Sequence, residues 1–449
     1  MGYLKIMILL SRYIFALFAV LFVIVAFSFV KPFISYSLGS KKARIAFLST
    51  CIYFIHILGT LILVAAEENW SVKVQLLINS GIVIGIIWLT LLLLKLMKRS
   101  HEIVMWQIMF FLMDIGFLMI QRIDPAAASG QIFAYGLGSV VALIFPTIFS
   151  IIIKPQNKYI YMVLLLITAI LPMIPGVGTS AYGSRNWVRI AGFSFQPSEI
   201  GKVAFVLFLA STLSDGARHL KNYKTLIFPG IITVITLGCL VLEVDLGATL
   251  LYYLTAMIMI FVAREDIVLP TIGMGLAGLG GTAAYFLFGH VRTRVKAWIN
   301  PWANYESGGY QVCNGLFAIG TWGFFGSGLT RGMPQTIPVA VSDYIFPAVC
   351  EEFGNLVGIV ILLCYLALVL LCLQVAFRYS HAFYRLVIIG IANIFAVQVF
   401  IIIGGVLKLI PLTGITVPFM SLGGTSVIVS MGMIGLITYF SYTARTSTE

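Results

Sequence analysis

The chain has 449 residues, of which 60% are hydrophobic and 10% charged, with a formal net charge of +12. Soluble domains carry about 25% charged residues, and the mean hydropathy here is +1.05. This balance excludes a string of soluble domains and predicts an all-α polytopic membrane protein. The Lys and Arg residues are scattered at the ends of apolar segments, so anionic lipid headgroups are the expected partners, and no nucleic acid is.

A membrane span needs about 20 apolar residues. That rule predicts thirteen spans, near 8–30, 45–65, 75–95, 103–120, 131–153, 160–175, 198–214, 224–241, 247–263, 267–288, 355–377, 385–408 and 425–442. The first lacks a following small-residue cleavage site and is read as a span, not a removed leader. Alternate loops carry Lys31, Lys41, Lys42 and Arg44; Lys95, Lys98 and Arg99; Lys154 and Lys158; and Arg218, Lys221 and Lys224. Arg264, Arg378, Arg385 and Arg445 follow on the same side. These loops are expected to be cytoplasmic, with the N-terminus outside and the C-terminus inside.

Two segments on the opposite face break the charge rule. One is 176–197, with Arg185 and Arg189. The other is the long 289–354 loop, with Arg292, Arg294, Lys296 and Arg331. An anionic ligand outside the membrane would account for cations there. In the long loop, Trp298, Trp302 and a glycine-dense middle predict a folded, partly membrane-dipping lid. Arg and Lys suit phosphate, and aromatic faces suit sugar rings. A plain aromatic belt with a flexible loop is the alternative.

Four acidic stretches stand out. Asp114 sits deep in the 103–120 span, where an ionisable group is costly. In "FQPSEIGK", Pro197 suits a helix start, and Glu199 and Lys202 share one face and can pair. The plain alternative is a capped helix whose lysine reaches the interface. Asp245 precedes an apolar run and suits an N-cap, although Glu243 beside it exceeds what capping needs. In "PVAVSDYIFPAVCEEFG", Asp343, Glu351 and Glu352 flank a short apolar run. Further on, "PLTGITVPFMSLGGTS" suits a broken helix or re-entrant turn. The six cysteines (51, 239, 313, 350, 364, 372) lack CxxC spacing and read as small buried hydrophobes. Only Cys313 and Cys350 could share an outer loop.

Taken in order, "NWVRIAGFSFQPSEIGK", "DLGATLL", "RVKAWINPW", "GYQ", "SDYIFPAVCEEFG" and "PLTGITVPFMSLGGTS" resemble the shape, elongation, division and sporulation (SEDS) family of bacteria, the RodA/FtsW/SpoVE-like membrane proteins. The resemblance covers about 103 to 443, a ten-span core. It implies a division into extra transmembrane helices over 1–100 and a glycosyltransferase core over 101–449, with 289–354 as the large extracytoplasmic loop. It further implies a peptidoglycan glycosyltransferase in the bacterial cytoplasmic membrane. Such a protein polymerises lipid II, the undecaprenyl diphosphate-linked disaccharide peptide, beside a class B penicillin-binding protein. By motif, Asp343 matches the acid taken as general base, and Trp187, Glu199, Lys202 and Asp245 match positions needed for activity. Arg189, Arg292, Arg294, Gln311, Ser421, Gly423 and Gly424 complete the expected substrate-binding set. The sequence departs from the family at Leu422, where Tyr is usual, at Thr425, which replaces a Ser, and in the added residues 1–100.

The chemistry asks for one carboxylate to take a proton from the acceptor hydroxyl. A diphosphate is already a weak base and needs nearby cations, not an acid. A glycosidase, by contrast, needs two carboxylates. Asp245, in a short connection, is expected to brace Lys202 or Arg189. Glu351 and Glu352 are expected to hold the loop end and the start of the next span, where helix N-termini favour acids. A divalent cation (Mg or Mn) at the diphosphate is compatible with this chemistry, although no metal-ligand spacing demands one. A lipid II flippase using Asp114, Glu199 and Lys202, or a non-catalytic scaffold for the transpeptidase, are the competing readings.

Overall fold

A computed structural model describes residues 2–30, 39–99, 102–181, 184–190, 192–215 and 223–446. Lys31, Arg218 and Lys221 lie outside the described residues. Three helices lead: α1 (Gly2–Phe27), α2 (Lys41–Ala66) and α3 (Trp70–Leu96). Then come α4 (Ile103–Ile123), α5 (Pro125–Ile148) and α6 (Lys158–Ile170), and a small antiparallel sheet of β1 (Gly178–Ala181), β2 (Ser184–Ile190) and β3 (Phe193–Phe195) in that order. Next are α7 (Pro197–Asp215), α8 (Ile227–Leu242), α9 (Leu246–Arg264) and α10 (Val268–Leu287). The long loop folds as α11 (Gly289–Ile299), α12 (Gly309–Thr321) and α13 (Ile345–Phe353). The chain closes with α14 (Asn355–Ala376), α15 (Ala382–Val406) and α16 (Gly424–Thr446).

Each of the thirteen expected spans coincides with a helix. Among the described residues, eleven helices are long and apolar enough to cross a membrane, or up to twelve if α10 and α11 count as one broken span. The expected span at 198–214 forms α7 but falls outside that set. Its first two turns carry Glu199 and Lys202, which lower its apolar content.

The added helices pack on the rest of the chain. α4 is buried along nearly its whole length, because α2 and α3 cover one side while α5, α14 and α16 cover the other. Gly59 of α2 lets the backbones approach closely: a Cβ there would sit 2.7 Å from Leu118 Cδ1. Deep in this contact, His56 Nδ1 bonds Asp114 Oδ1, and both side chains are buried. Asp114 therefore joins the added helices to the core.

The contacts sort the helix ends into two sides. Arg12 near the start of α1 and Arg122 at the end of α4 both reach the loop between α12 and α13, at Gly326 O and Thr330 O. On the far side, Arg378 bonds Glu102 at 2.5 Å, and Arg99 donates to Leu143 O and Thr147 Oγ1. All six cysteines are unbridged, and only Cys239 is not fully buried.

Candidate active site

Asp343 lies on an irregular turn held by its own backbone bonds and by one other segment. Ser342 N and Tyr344 N both donate to Val339 O, and Val339 adopts φ +55° to allow it. Ser421 Oγ accepts from Val417 N (2.8 Å) and donates to Ser342 O (2.6 Å), while Leu422 N donates to Val341 O (2.8 Å). The proline- and glycine-rich 407–423 connection thus grips the two residues that precede Asp343. This gives Ser421 a different task from the expected one. It is 1% exposed and holds backbone.

The second wall comes from α11. The chain turns by 109° between α10 and α11, which lays α11 beside the Asp343 turn. His290, Thr293, Arg294, Ala297 and Trp298 line the resulting cleft, at a spacing that defines one helical face. Arg292 and Lys296 fall on the opposite, exposed face. Arg292 donates to Phe286 O and lies outside the cleft. Arg294 donates to Thr413 O at 2.8 Å and to Leu412 O at 3.4 Å. Trp298 Nε1 donates to Lys408 O.

Arg294 and Asp343 converge on Gly414, whose φ is +79°. A Cβ at Gly414 would lie 3.2 Å from Arg294 Nη2 and 3.5 Å from Asp343 Oδ2. The two side chains are not within 4 Å of each other as an ion pair among the described residues. The missing side chain leaves a gap between carboxylate and cation. Burial pushes the Asp343 carboxyl up to about 6, while the Arg294 charge and a hydrogen bond with Ser342 pull it back down.

The third wall comes from the sheet and the α8–α9 turn. Trp187 and Asn186 of β2 face the cleft, together with Gln196, Glu199 and Asp245. Asp245 Oδ1 accepts from Ala248 N at 3.0 Å, so it caps α9. Its Oδ2 accepts from Asn186 Nδ2 (2.8 Å) and Gln196 Nε2 (3.1 Å). The expected brace on Lys202 or Arg189 is replaced by these two amides. Glu199 and Lys202 do pair, at 2.6 Å. Lys202 Nζ also donates to Gln398 Oε1, which leaves Lys202 3% exposed behind the wall and outside the cleft. Arg189 stands two residues beyond Trp187, about 6–7 Å along the strand. It is exposed and outside the cleft as well.

Together the walls enclose a cavity of about 640 Å³. It takes in Asp343, Trp187, Glu199, Asp245, Arg294, Gln311 and Gly423, and leaves out Arg189, Lys202, Arg292, Ser421 and Gly424. Gly424 opens α16 against Ala134. Sequence reading passed over His290, Gln196, Lys408 and Gly414. For His290 the usable signal was its spacing from Arg294 on a helix. The departures Leu422 and Thr425 both line the cavity, and Thr425 Oγ1 accepts from Gln196 N. Among the described residues no group of three or more His, Cys, Asp or Glu could hold a metal ion. A divalent cation here would therefore share its coordination between the oxygens of a bound diphosphate and at most one or two carboxylates, Asp343 first among them.

The sequence model of the FtsW/RodA/SpoVE cell cycle protein family matches residues 102–446. The chain belongs to that family. It is 36% identical over 295 residues to peptidoglycan glycosyltransferase RodA of Mycobacterium tuberculosis strain H37Rv, a match covering 63% of this chain and 62% of that protein. With stage V sporulation protein E of Bacillus subtilis strain 168 it shares 30% identity over 363 residues, 78% of this chain and 99% of that protein. The fold resembles a chain of a peptidoglycan synthase complex that coordinates polymerization and crosslinking, with a TM-score of 0.64 at 24% identity, covering 76% of this chain and 97% of that one. It also resembles the rod shape determining protein RodA of Thermus thermophilus, with a TM-score of 0.55 at 22% identity and coverage of 75% and 95%. Among FtsW/RodA/SpoVE relatives, the RodA match spans about three fifths of the curated protein's length, and the added helices α1 to α3 lie before the matched family region.

Proposed function

We propose that this chain is a peptidoglycan glycosyltransferase that polymerises lipid II at the outer face of the bacterial cytoplasmic membrane, with the N-terminus outside and the C-terminus in the cytoplasm. The observation that carries the reading is the one loosely partnered carboxylate among those lining the cavity, Asp343, facing the Arg294 guanidinium across the Gly414 gap. Asp343 takes the proton of the acceptor sugar hydroxyl as that oxygen attacks the anomeric carbon of the donor. The bond from that carbon to the lipid diphosphate breaks on the opposite face. Configuration inverts, so an α-linked donor yields a β-1,4 product. Arg294 stabilises the departing diphosphate charge, and Trp187 and Trp298 offer faces for sugar rings. A class B penicillin-binding protein is the proposed partner for crosslinking.

The division into 1–100 and a catalytic core over 101–449 is part of this proposal. Asp114 supports catalysis over lipid transport: its carboxylate is engaged by His56 between helices and does not line the cavity. The test is purified full-length protein with lipid II, wild type beside Asp343→Ala. Polymer from the wild type and none from the variant supports the reading. No polymer from either, with lipid II translocated across liposomes in a Lys202-dependent way, replaces it with transport.

A further inference from the structure

We infer that α1, one of the added helices, positions the catalytic turn, with Arg12 as the positioning residue; this rests on the glycosyltransferase reading above. A cation inside an apolar span is costly without a partner. Arg12, within the apolar stretch Ile6–Phe27, has one in the outer loop: Nη1 donates to Gly326 O at 3.2 Å. Its Nη2 donates to Tyr13 OH, and Tyr13 packs on Phe325 with ring centroids 4.8 Å apart. One turn earlier, Ile8 lies against Gly328, where a Cβ would come within 2.9 Å of Ile8 Cγ2. Three residues on from Arg12, Phe15 packs edge-on against Phe353 at the end of α13. Three successive contacts on one helix face therefore close on the 325–328 turn and the helix it rests on.

That turn connects to Asp343 through α13. Ser327 N and Gly328 N donate to the carbonyls of Glu351 and Glu352 at 2.8 and 3.0 Å. A Cβ at Gly326 would strike Gly354 N at 2.5 Å, so the turn has no room to slide. α13 starts at Ile345, two residues after Asp343. A shift of the turn moves α13, and with it the base relative to Arg294. Misplacement of a reacting group by about 1 Å costs up to about a hundredfold in rate. No residue of α1 lines the cavity, so its effect should fall on the chemical step and spare substrate binding.

The test uses the full chain in detergent or proteoliposomes with Arg12→Ala, Arg12→Lys and Leu17→Ala, the last on an exposed site of the same helix. Two readouts are taken: steady-state polymerisation of lipid II, and amide hydrogen exchange over 323–333. Arg12→Ala is expected to lower kcat about tenfold with KM unchanged, and to speed exchange in that turn about tenfold. Arg12→Lys, which keeps a donor for Gly326 O, should recover most of both, and Leu17→Ala should change neither. Unchanged exchange in Arg12→Ala overturns the brace whether or not the protein polymerises lipid II. So does altered exchange with wild-type kcat, or a rise in KM alone. A wild type that makes no polymer sinks the glycosyltransferase reading instead, while the exchange data still decide whether α1 holds the turn.

Discussion

Asp343 and the pair Glu351–Glu352 are eight residues apart in one loop, yet the fold treats them in opposite ways. Glu352 is fully buried and accepts from Thr330 N (3.1 Å), Gly332 N (3.2 Å) and Arg122 Nε (3.3 Å); Glu351 accepts from Met333 N at 2.8 Å. They sit in the last turn of α13, not at the N-terminus of α14 as expected, and they hold the 326–333 turn by its amides. Asp343 is half-buried, borders a cavity of about 640 Å³, and has a hydrogen bond from Ser342 with Arg294 held at a distance. Carboxylates whose contacts are backbone amides and a guanidinium inside the fold are structural: Glu352 accepts three such bonds and Glu351 one. An acid with spare lone pairs facing an open cavity can accept a proton from a ligand.

This contrast can be broken by substitution. Asp343→Asn should lower polymerisation about a thousandfold with thermal unfolding in detergent unchanged, since general-base removal costs 10²–10⁴. Glu352→Ala should show the opposite emphasis, a large loss of stability with a loss of rate no greater than about tenfold. It strands Arg122 and two amides, and should cost about 3 kcal/mol of stability, read as a lower melting temperature. If the two variants gave the same profile, the distinction between working and structural acids would be wrong. Arg294→Ala should lower kcat about a hundredfold and move the acid limb of the rate profile to higher pH, because the charge that pulls the Asp343 carboxyl down is gone. Gly414→Ala should cost about tenfold in kcat, by placing a methyl between base and cation on a left-handed backbone. A Gly414→Ala enzyme with full activity would show that the gap is not where the reaction occurs.

Much of the architecture was legible because apolar runs and charged ends are one-dimensional signals. Helices stand at all thirteen expected places. Asp343, Trp187 and Asp245, each chosen on its own motif, line one cavity in the fold. The residues that the cavity leaves out have physical reasons for it. Arg292 and Arg189 were chosen as cations on the outer side, and charge alone does not say which way a side chain points. Treating 289–299 as a helix would have separated Arg294 from Arg292, since residues two apart cannot share a helix face. Lys202, chosen by motif, sits behind the wall because it pairs with Glu199 and with Gln398, 196 residues away. Distance along the chain also hides Gly414, whose role exists only once α11 and the 407–423 connection meet, and His56, which the sequence places in an unremarkable apolar run.

The most direct measurement is the pH dependence of kcat/KM for lipid II with wild-type protein. Burial raises the Asp343 carboxyl to about 6, and a base works only when ionised, so the rate should be constant above that value and fall about tenfold for each pH unit below it. An acid limb with its midpoint near 6 is the predicted result. A rate that stays level from about pH 7 down to about pH 4.5, in protein that remains folded, would contradict a proton-accepting Asp343 of this kind.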